Sequence, residues 1–441
     1  MTKLMGWGRH PVIEGEERLL EDLEEASRSA VLTRGLGRSY GDASLPPEEI
    51  GHPVMGTRLA DRMLSFDRET GVLRAEAGFA LTQLNDFFNR RGWATPVSPG
   101  TECVTLGGMV ASDVHGKNHH VAGCFGEYVR ALRMRVADDR VLEVTEESEP
   151  ELFRATLGGM GLTGHILEVE VQLVRTPTPW IWSESERVGD LDELLLKLRA
   201  ASAEWPMTMA WADSLTRGRH MGRGIVIKGR WAEPDEAPAH APPRHRRFAV
   251  PFDLPGFVLG SWSVRAFNSA VFHKHGGKPW ARVVHPHSFF TPLDVIHDWN
   301  RIYGQRGLTQ YQVVIPMEDG GVAYRRLFET MTRLGGASFL TVVKDCGAQG
   351  KGMLSFPRPG CSVALDVPLR GARTQALIDA LNEIAIEVGG RIYLAKDALT
   401  RPEHLRAMEP RLEGFNAVRR KWDPQGRLRS GLSVRLLGDE L

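Results

Sequence analysis

The fold of this chain is decided by residues 101–128, which read TECVTLGGMVASDVHGKNHHVAGCFGEY. The stretch is too polar for a hydrophobic core and is rich in small residues. Gly107 and Gly108 allow a backbone to approach a ligand closely, because no side chain stands in the way. Such a loop is typical of a site for a large, flat, polar cofactor. Side chains that can hydrogen-bond follow at short spacing: Ser112, His115, Lys117, Asn118 and His119.

A second glycine-rich loop lies upstream at residues 34–42, RGLGRSYGD, directly after an apolar strand predicted over residues 30–32. Its two glycines and the following Arg-Ser-Tyr can turn successive backbone N–H groups toward a pyrophosphate. The spacing is not G-x-G-x-x-G and no helical pattern opens after it, which argues against a Rossmann site. Alone, such a loop is more often a turn without a ligand, so only the pair of loops favours a cofactor.

Composition excludes several classes of protein. At 441 residues the chain exceeds the size that one hydrophobic core usually serves, so we expect two domains. Basic and acidic residues both number 55, which argues against a protein that binds nucleic acid. The amino-terminal residues lack the apolar core of a secretion signal, and no apolar run is long enough to span a membrane. The four scattered cysteines lack C-x-x-C spacing, which favours reduced thiols in a cytoplasmic protein over a zinc site.

The first ~175 residues carry a mixed α/β pattern. Apolar and polar residues alternate over residues 167–173, which predicts a half-buried strand. Pro177 and Pro179 follow, and we expect a domain boundary there. Further predicted elements are a strand over residues 72–77, a helix over residues 81–88 closed by Gly92, and a hairpin over residues 132–145 with its turn at Asp138 and Asp139.

Residues 232–247, AEPDEAPAHAPPRHRR, are proline-rich and charged, and predict a mobile loop that extends to about residue 290. The run over residues 248–272 is aromatic and apolar, but prolines and charged residues prevent it from crossing a bilayer as one helix. Two interpretations of this run stay open. It is a packed loop or core helix, or it is a lid or membrane-touching surface beside a basic loop, suited to an apolar substrate.

An internal repeat is predicted in the carboxyl-terminal half. Each copy reads as a strand, an amphipathic helix, a pair of glycines and a second strand. In each copy a lysine follows a proline by 28 residues, Lys344 after Pro316 and Lys396 after Pro368. Two β-α-β units that share one sheet explain this order. We therefore expect both lysines at equivalent strand ends on the rim of the sheet.

Three histidines in the opening stretch, His115, His119 and His120, have the i, i+4 spacing of metal ligands on a helix. The surrounding glycines argue against a helix and no carboxylate stands at ligand spacing, so no metal ion is predicted. These histidines are either hydrogen-bonded structural residues or residues that face a cofactor. A second group lies in a loop rich in glycine and proline and is interpreted as solvent-exposed: His273, His275, His285 and His287.

Taken together, these motifs resemble the FAD-binding domain of the vanillyl-alcohol-oxidase-like flavoproteins, which is of the PCMH type. Within that superfamily the chain is similar to the decaprenylphosphoryl-β-D-ribose oxidase family, flavin subunits of a 2'-epimerase in arabinan and cell wall biosynthesis. The resembling segments are RGLGRSYGDA at 34–43, PGT at 99–101, TLGGMVASDVHGKNHHVAGCFGEYV at 105–129, GLTGHILEVEV at 161–171, LTQYQVVIP at 308–316, LSFPRPG at 354–360, YLAKDALTRPEHLRAMEPR at 393–411 and VRRKWDP at 418–424.

The resemblance implies an α+β fold with two domains. An FAD-binding domain would span residues 1–176 and be completed by residues 391–441, and an antiparallel-sheet substrate-binding domain would span residues 177–390. The FAD would be non-covalent, because members with covalent flavin often carry a histidine where this chain has Arg38. The residues implied to bind FAD are Arg34, Gly35, Leu36, Gly37, Arg38, Ser39, Tyr40, Gly100, Thr101, Thr105, Gly107, Gly108, Ser112, His115, Gly116, Asn118, His119, Gly123, Gly164, Ile166 and Tyr393.

The resemblance also implies the reaction. The 2-hydroxyl of a polyprenylphosphoryl-β-D-ribofuranose would be oxidised to the 2-keto sugar, and a separate NAD(P)H-dependent short-chain reductase would complete the 2'-epimerisation. Lys396 is favoured for the substrate hydroxyl or the flavin pyrimidine edge, and His115 is the alternative base. Mycobacterial members carry a cysteine where this chain has Ala364, which removes a thiol but no acid or base. The residues implied around the flavin face are His115, Lys117, Gln310, Gln312, Lys344 and Lys396.

Two other functions stay open from the sequence alone. One is a soluble-sugar alcohol or aldonolactone oxidase with the same fold and cofactor. The other is a flavoprotein-shaped subunit that only binds a prenyl phosphate or a partner reductase. A lipid-linked substrate would also bring the protein into peripheral contact with a membrane.

Overall fold

The computed structural model of the chain describes residues 2–48, 53–243, 248–256, 258–318, 321–336 and 338–440. Helices and largely antiparallel sheets both contribute, so the predicted α+β class is confirmed. Across the described ranges, 22 strands form six sheets, of which the largest have five and eight strands.

The amino-terminal part contains four of these sheets, connected by short helices. Its helices are α1 (Leu23–Ala26), α2 (Leu81–Phe88), α3 (Leu106–Ala111), α4 (His119–Ala122) and α5 (Pro150–Thr156). Its strands are β1 (Thr2–Met5), β2 (Val12–Gly15), β3 (Glu17–Leu19), β4 (Leu32–Arg34), β5 (Val54–Gly56), β6 (Met63–Phe66), β7 (Val72–Glu76), β8 (Trp93–Ala94), β9 (Val129–Arg135), β10 (Val141–Thr145), β11 (His165–Gln172) and β12 (Val174–Arg175).

The five-stranded sheet has the order β10-β9-β11-β7-β6, and all its pairs are antiparallel. Strand β11 buries Leu167, Val169 and Val171, while the intervening glutamates face outward toward arginines of β7 and β9. The predicted hairpin is confirmed as β9 and β10. The predicted helix is confirmed as α2, and a short 3₁₀ turn after it ends at Gly92, whose φ of 75° suits a residue without a side chain.

The second part is built around the eight-stranded sheet. Its helices are α6 (Leu191–Glu204), α7 (Ser261–Lys274), α8 (Pro286–Phe290), α9 (Val322–Leu334) and α10 (Ala372–Glu387), and the carboxyl-terminal segment that follows adds α11 (Pro402–Met408) and α12 (Leu412–Trp422). Its strands are β13 (Ile181–Val188), β14 (Met207–Ala212), β15 (Gly224–Trp231), β16 (Phe248–Ala249), β17 (Trp280–Val284), β18 (Ile296–His297), β19 (Leu308–Ile315), β20 (Thr341–Cys346), β21 (Gly360–Pro368) and β22 (Arg391–Ile392).

The eight-stranded sheet has the order β17-β13-β15-β14-β20-β21-β19-β22, with every neighbouring pair antiparallel. The predicted repeat is present as β19-α9-β20 and β21-α10-β22. The two strands of each unit run parallel and are separated by a strand of the other unit, so the units interleave. The expectation of equivalent strand ends is wrong. Lys344 lies within β20 opposite Ser362, and Lys396 lies in a turn beyond the end of β22.

The predicted loop over residues 232–290 is corrected in part, because it contains α7 and β17. Val264, Asn268 and Phe272 bury one face of α7, and the burial of apolar side chains explains why a helix forms in a segment punctuated by prolines. Residues 244–247 of the proposed mobile stretch lie outside the described residues. Among the described helices, none has both the length and the apolar character required to traverse a bilayer.

Two hydrophobic clusters account for most of the buried core, one on each of the two large sheets, and Trp422 packs against both. The chain leaves the amino-terminal sheets after β12 and enters the eight-stranded sheet at β13. After β22 it returns to the amino-terminal part, where Arg429 N–H donates to the Val31 carbonyl and Gly431 N–H to the Leu45 carbonyl. We propose, on this basis, the partition of residues 1–176 with 391–441 from residues 177–390.

Candidate active site

A cavity of about 280 Å³ lies between the five-stranded and eight-stranded sheets. One wall comes from the two glycine-rich loops and from Ala77 and Ile166 beside them. The opposite wall comes from β14, β19, β20 and β21 and the turn after β22. The predicted site residues that line it are Gly35, Leu36, Gly37, Arg38, Ser39, Tyr40, Gly100, Thr101, Thr105, Gly107, Gly108, Ser112, His115, Lys117, Gly164, Ile166, Gln310, Gln312, Lys344, Tyr393 and Lys396.

The first glycine-rich loop follows β4 and faces the second one. A Cβ atom added to Gly35 would lie 2.5 Å from Thr105 Oγ1, so the approach of the two loops requires glycine there. Gly37 adopts a φ of 63°, a conformation that glycine accepts without strain. The Arg38 guanidinium stacks over the Trp7 ring at 4.0 Å, and its buried Nε has no hydrogen-bond partner among the described residues.

The second loop turns into α3. The Thr105 hydroxyl accepts from the Gly108 N–H at 3.2 Å and so caps the helix, while a Cβ on Gly107 would meet Ala77 Cβ at 3.0 Å. Two glycine-rich backbone segments therefore face the cavity. This cradle, together with the unpartnered Arg38 Nε, fits a cofactor that carries a diphosphate and a flat ring.

Five residues that the resemblance assigned to the cofactor do not line the cavity. The Arg34 guanidinium points away and donates to the Met5 carbonyl at 2.7 Å and to Ser44 Oγ at 3.0 Å. The Asn118 amide donates to the Pro96 carbonyl, and His119 Nδ1 accepts from the Gly347 N–H. Gly116 and Gly123 belong to the turns on either side of α4. These residues shape the loops from behind instead of lining the cavity.

His115 is buried against the aromatic rings of Phe356 and Tyr393, with centroids 5.2 and 5.0 Å away. Burial, reinforced by Lys344, lowers the pKa of His115 well below its usual value, so the imidazole is neutral. The Gln312 amide lies 2.8 Å from His115 Nε2 and donates to it, which leaves the ring proton on Nδ1. The Tyr393 hydroxyl donates to the Ser112 carbonyl at 2.9 Å and ties the carboxyl-terminal segment to the second loop.

Three lysines converge on the cavity. Burial lowers the pKa of Lys117 to about 7, and its Nζ donates to the Phe290 carbonyl at 2.7 Å. Burial lowers the pKa of Lys396 to about 8, and its Nζ stands 4.3 Å from the Tyr40 ring centroid. Lys344 lines the cavity, and burial lowers its pKa as well. Amines with lowered pKa values can act as cations or as bases near neutral pH.

Asp366, which the sequence analysis did not select, lies fully buried beneath this group on β21. It accepts from the Gln310 amide at 2.6 Å and from the Tyr303 hydroxyl at 3.3 Å. The Gln310 amide nitrogen also lies 3.3 Å from the Tyr40 hydroxyl, so the amide oxygen is left to accept from a ligand. Burial raises the pKa of Asp366 to about 6, and its negative charge raises the pKa of Lys396. A carboxylate within the apolar run CSVALDVP was the signal that could have revealed it.

Of the second group of histidines, His273 is solvent-exposed as the sequence predicts, whereas His275, His285 and His287 are half-buried and hydrogen-bonded. His275 Nε2 hydrogen-bonds the Ser185 hydroxyl, His285 Nε2 lies 2.8 Å from the Pro243 carbonyl, and His287 Nδ1 lies 3.2 Å from Glu102. His273 contacts the Ser269 carbonyl one turn earlier in α7. The partners of His275, His285 and His287 come from distant parts of the chain, which local composition does not reveal.

Comparisons with known proteins agree with this geometry. A family profile described as an FAD binding domain matches residues 16–145. The chain is 34% identical over 451 aligned positions to decaprenylphosphoryl-beta-D-ribose oxidase of Mycolicibacterium smegmatis, covering 98% of this chain and 97% of the relative. It is 32% identical to L-gulonolactone oxidase of Mus musculus and 30% identical to a putative D-arabinono-1,4-lactone oxidase of Neurospora crassa. Those two alignments cover only 37% and 34% of this chain, and 36% and 26% of the relatives.

Proposed function

Because this chain belongs to the FAD-dependent decaprenylphosphoryl-β-D-ribose oxidase family, we propose that it oxidises the 2-hydroxyl of a polyprenylphosphoryl-β-D-ribofuranose to the 2-keto sugar. The chain is an FAD-dependent oxidoreductase, and when bound the FAD supplies a hydride acceptor. The observation that carries the choice of substrate is a similarity that extends over nearly the full length of both proteins. The matches to the lactone oxidases cover about a third of the chain and give less support to a lactone substrate.

For the cofactor, we propose that the loop residues Gly35 to Tyr40 hold the diphosphate and that Thr105, Gly107, Gly108 and Ser112 contact the remainder. Gly164 and Ile166 line the adenine end, and Tyr393 closes the site from the carboxyl-terminal segment. The bound FAD is non-covalent in this proposal. Arg34, Gly116, Asn118, His119 and Gly123 have a supporting role, because their side chains or turns stand behind the lining residues.

For the reaction, the cavity carries four cationic side chains, Arg38, Lys117, Lys344 and Lys396, which suit a substrate with a phosphodiester. Lys396 is our first choice to contact the reacting hydroxyl or the flavin pyrimidine edge, because its pKa of about 8 allows it to exchange a proton near neutral pH. His115 is the alternative base. Its Nε2 already accepts from Gln312, so it would first have to exchange that partner. Gln310 offers an amide oxygen that can orient a sugar hydroxyl.

The 2-keto product requires a reduction to complete an epimerisation, and we propose a separate NAD(P)H-dependent short-chain reductase as the partner. We also propose a cytoplasmic location, because all four cysteines are free thiols and the reducing cytoplasm favours free thiols. A lipid-linked substrate also demands a peripheral contact with the membrane that holds it.

The test is an anaerobic titration of the holoenzyme with a short-chain prenylphosphoryl ribose, in which loss of the visible flavin absorbance is followed. The 2-deoxyribose analogue is the control, because it lacks the hydroxyl to be oxidised. Flavin bleaching by the ribose compound and not by its analogue supports the proposal. If only an aldonolactone bleaches the flavin, the substrate is a lactone and not a lipid-linked ribose. If the purified protein contains no flavin, the proposed oxidation is wrong.

Lys396→Ala tests the role of that lysine. We expect the variant to keep its FAD and to reduce it in a single turnover at least about 100-fold more slowly, since general acid–base groups contribute about 10²–10⁴ in rate. Lys421→Ala is the matched control, because Lys421 forms an exposed ion pair with Glu151. Single-turnover reduction at the wild-type rate in Lys396→Ala would exclude this residue from the chemistry.

A further inference from the structure

We propose that α7 and the strap of residues 248–256 form a docking surface for a bilayer that contains anionic phospholipid. The docking surface is defined by four exposed aromatic residues, Phe248, Phe252, Trp262 and Phe267, together with the basic residues of the segment. The proposal rests on the proposed function, because a lipid-linked sugar has to reach the cavity from the membrane that carries its tail.

The aromatic residues of the docking surface are unusually open. Trp262 is 84% exposed, Phe248 66% and Phe252 60%, and large exposed apolar groups close together on a domain mark interaction surfaces. Helix α7 turns Val264, Asn268 and Phe272 inward, and Trp262, Ala266 and Ala270 outward. The exposed line of Trp262, Ala266 and Ala270 on α7 is therefore apolar, and tryptophan at such a position is typical of the membrane interface.

The strap and α7 share one support, the segment of residues 296–303. Strand β16 of the strap pairs with β18, which places Phe248 opposite Ile296. The Leu254 N–H donates to the Arg301 carbonyl, and the Asp253 carboxylate is held by Arg9 and Arg301.

Helix α7 reaches the same support through stacked rings. The Phe267 ring lies 5.7 Å from the Phe339 ring, which lies 5.8 Å from that of Tyr303. The exposed aromatics are thus held by neighbouring elements and do not lie on unrelated parts of the surface.

The same support is a wall of the cavity. From this segment, the cavity is lined by Ile296, His297 and Trp299. Leu340, which follows Phe339 and directly precedes β20, lines it as well. At Phe248, which pairs with the cavity-lining Ile296, the docking surface therefore adjoins the wall of the cavity. A lipid tail that leaves the cavity past Ile296 would emerge beside Phe248, at the level where the aromatic side chains would enter the bilayer.

The charges of the segment select the kind of lipid. Residues 254–293 contain no aspartate or glutamate, in a chain whose basic and acidic residues are equal in number. The exposed basic residues are Arg265, Lys274, Lys278 and Arg282, and within the described ranges none of them forms an ion pair. Positive side chains beside exposed aromatics are attracted to anionic head groups, and a zwitterionic surface offers no such attraction.

The experiment measures co-sedimentation of the holoenzyme with phosphatidylcholine vesicles and with vesicles that contain a third phosphatidylglycerol, at low and at physiological salt. The test variant is the double substitution Phe252→Ser with Trp262→Ser. Both side chains are exposed and outside the cavity lining, so folding and flavin content should be unchanged. The matched control is Leu196→Ser. Leu196 is 71% exposed on α6, which packs on the opposite face of the eight-stranded sheet from α7.

We expect the wild type and Leu196→Ser to bind anionic vesicles equally, and the double variant to bind at least about tenfold more weakly. Added salt should weaken the binding of the wild type, and phosphatidylcholine alone should bind poorly. The proposal is overturned if the wild type ignores anionic vesicles or if the double variant binds as well as the control. It is also overturned if the wild type is a dimer that the double variant dissociates, because the surface would then join two copies.

The outcome can be separated from that of the proposed function. Vesicle binding needs no substrate, whereas flavin bleaching by a short-chain substrate needs no vesicles. If the substrate bleaches the flavin but the protein does not bind vesicles, the proposed docking surface is wrong and the proposed reaction is supported. If the protein binds vesicles through the aromatic residues but the flavin is not bleached, the docking surface is supported and the proposed substrate is wrong.

Discussion

At the scale of single residues, the site depends on how burial changes proton affinity. Lys117 and Lys396 have pKa values of about 7 and 8 because protein replaces water around them, and Asp366 opposes this effect at Lys396. The negative charge of Asp366 therefore helps to set the pH at which Lys396 loses its proton. Asp366 acts through Lys396 and Gln310, which makes it a positioning residue.

Asp366→Asn should remove the charge while it preserves an oxygen that can accept from Gln310. Because an acidic neighbour raises the pKa of Lys396, its loss should move the inflection in the rate of flavin reduction to lower pH, by about one unit. The direction is the same whether the reaction uses the protonated or the neutral amine. The measurement is the single-turnover rate from pH 6 to 10, with Asp235→Asn, at an exposed carboxylate, as the control. An unchanged inflection with normal flavin content would show that Asp366 has no such role.

Most of the site residues predicted from the sequence line the cavity, but the sequence did not reveal the residues that support them. The pair of glycine-rich loops could be chosen from residue types and spacing, whereas His115 and Lys396 were placed at the active site by the resemblance of their motifs to the oxidase family. Asp366 stands in an apolar strand with nothing in its neighbourhood to indicate that Gln310 and Tyr303 would meet it across β19 and the 299–303 segment. Arg34 was placed on the cofactor because the resemblance implied the whole segment of residues 34–40, and only the folded chain turns its guanidinium toward Met5.

At the scale of elements, the two glycine-rich loops act as one unit because Gly35 packs against Thr105. Gly35→Ala should push Thr105 away from its capping position and open the cradle, so we expect FAD to bind at least about tenfold more weakly in a protein that still folds. Flavin retained per protein after gel filtration measures this, with circular dichroism to check the fold. Gly277→Ala is the control, because its added methyl group would meet open space. Full flavin retention in Gly35→Ala would contradict the assignment of the loops.

The elements themselves were predictable where the pattern is local. Alternation in β11, the apolar stripe of α2 and the repeat in the carboxyl-terminal half all follow from residues close together in the sequence. The position of Lys396 could not be predicted in this way, because contacts with distant residues end β22 at Ile392. The Tyr40 N–H donates to the Ala395 carbonyl and the Tyr393 hydroxyl to the Ser112 carbonyl, and these distant partners bend the chain into a turn.

At the scale of the whole molecule, Arg435 joins the end of the chain to both walls of the site. Its guanidinium contacts Asp42 through two bonds of 2.7 and 2.8 Å and Asp397, next to Lys396, at 2.9 Å. Arg435→Gln should destabilise the protein by about 2 kcal/mol or more, because it leaves two carboxylates of low exposure without their partner. It should also accelerate the release of FAD.

Thermal unfolding and the rate of flavin loss measure both effects of Arg435→Gln. Lys421→Gln, which breaks an exposed ion pair with Glu151, should change stability by no more than about 1 kcal/mol. A melting temperature equal to that of this control would mean that the carboxyl-terminal segment is held in place without Arg435.

The joining of Tyr40 to Ala395 has a consequence for how the enzyme is made. The glycine turns at residues 34–42 leave the ribosome about 350 residues before residues 393–397, which close the site against them. Until that later strip is made, a nascent polypeptide displays only half a pocket. Stable loading of the vitamin-derived ring should therefore follow the synthesis of residues 393–397.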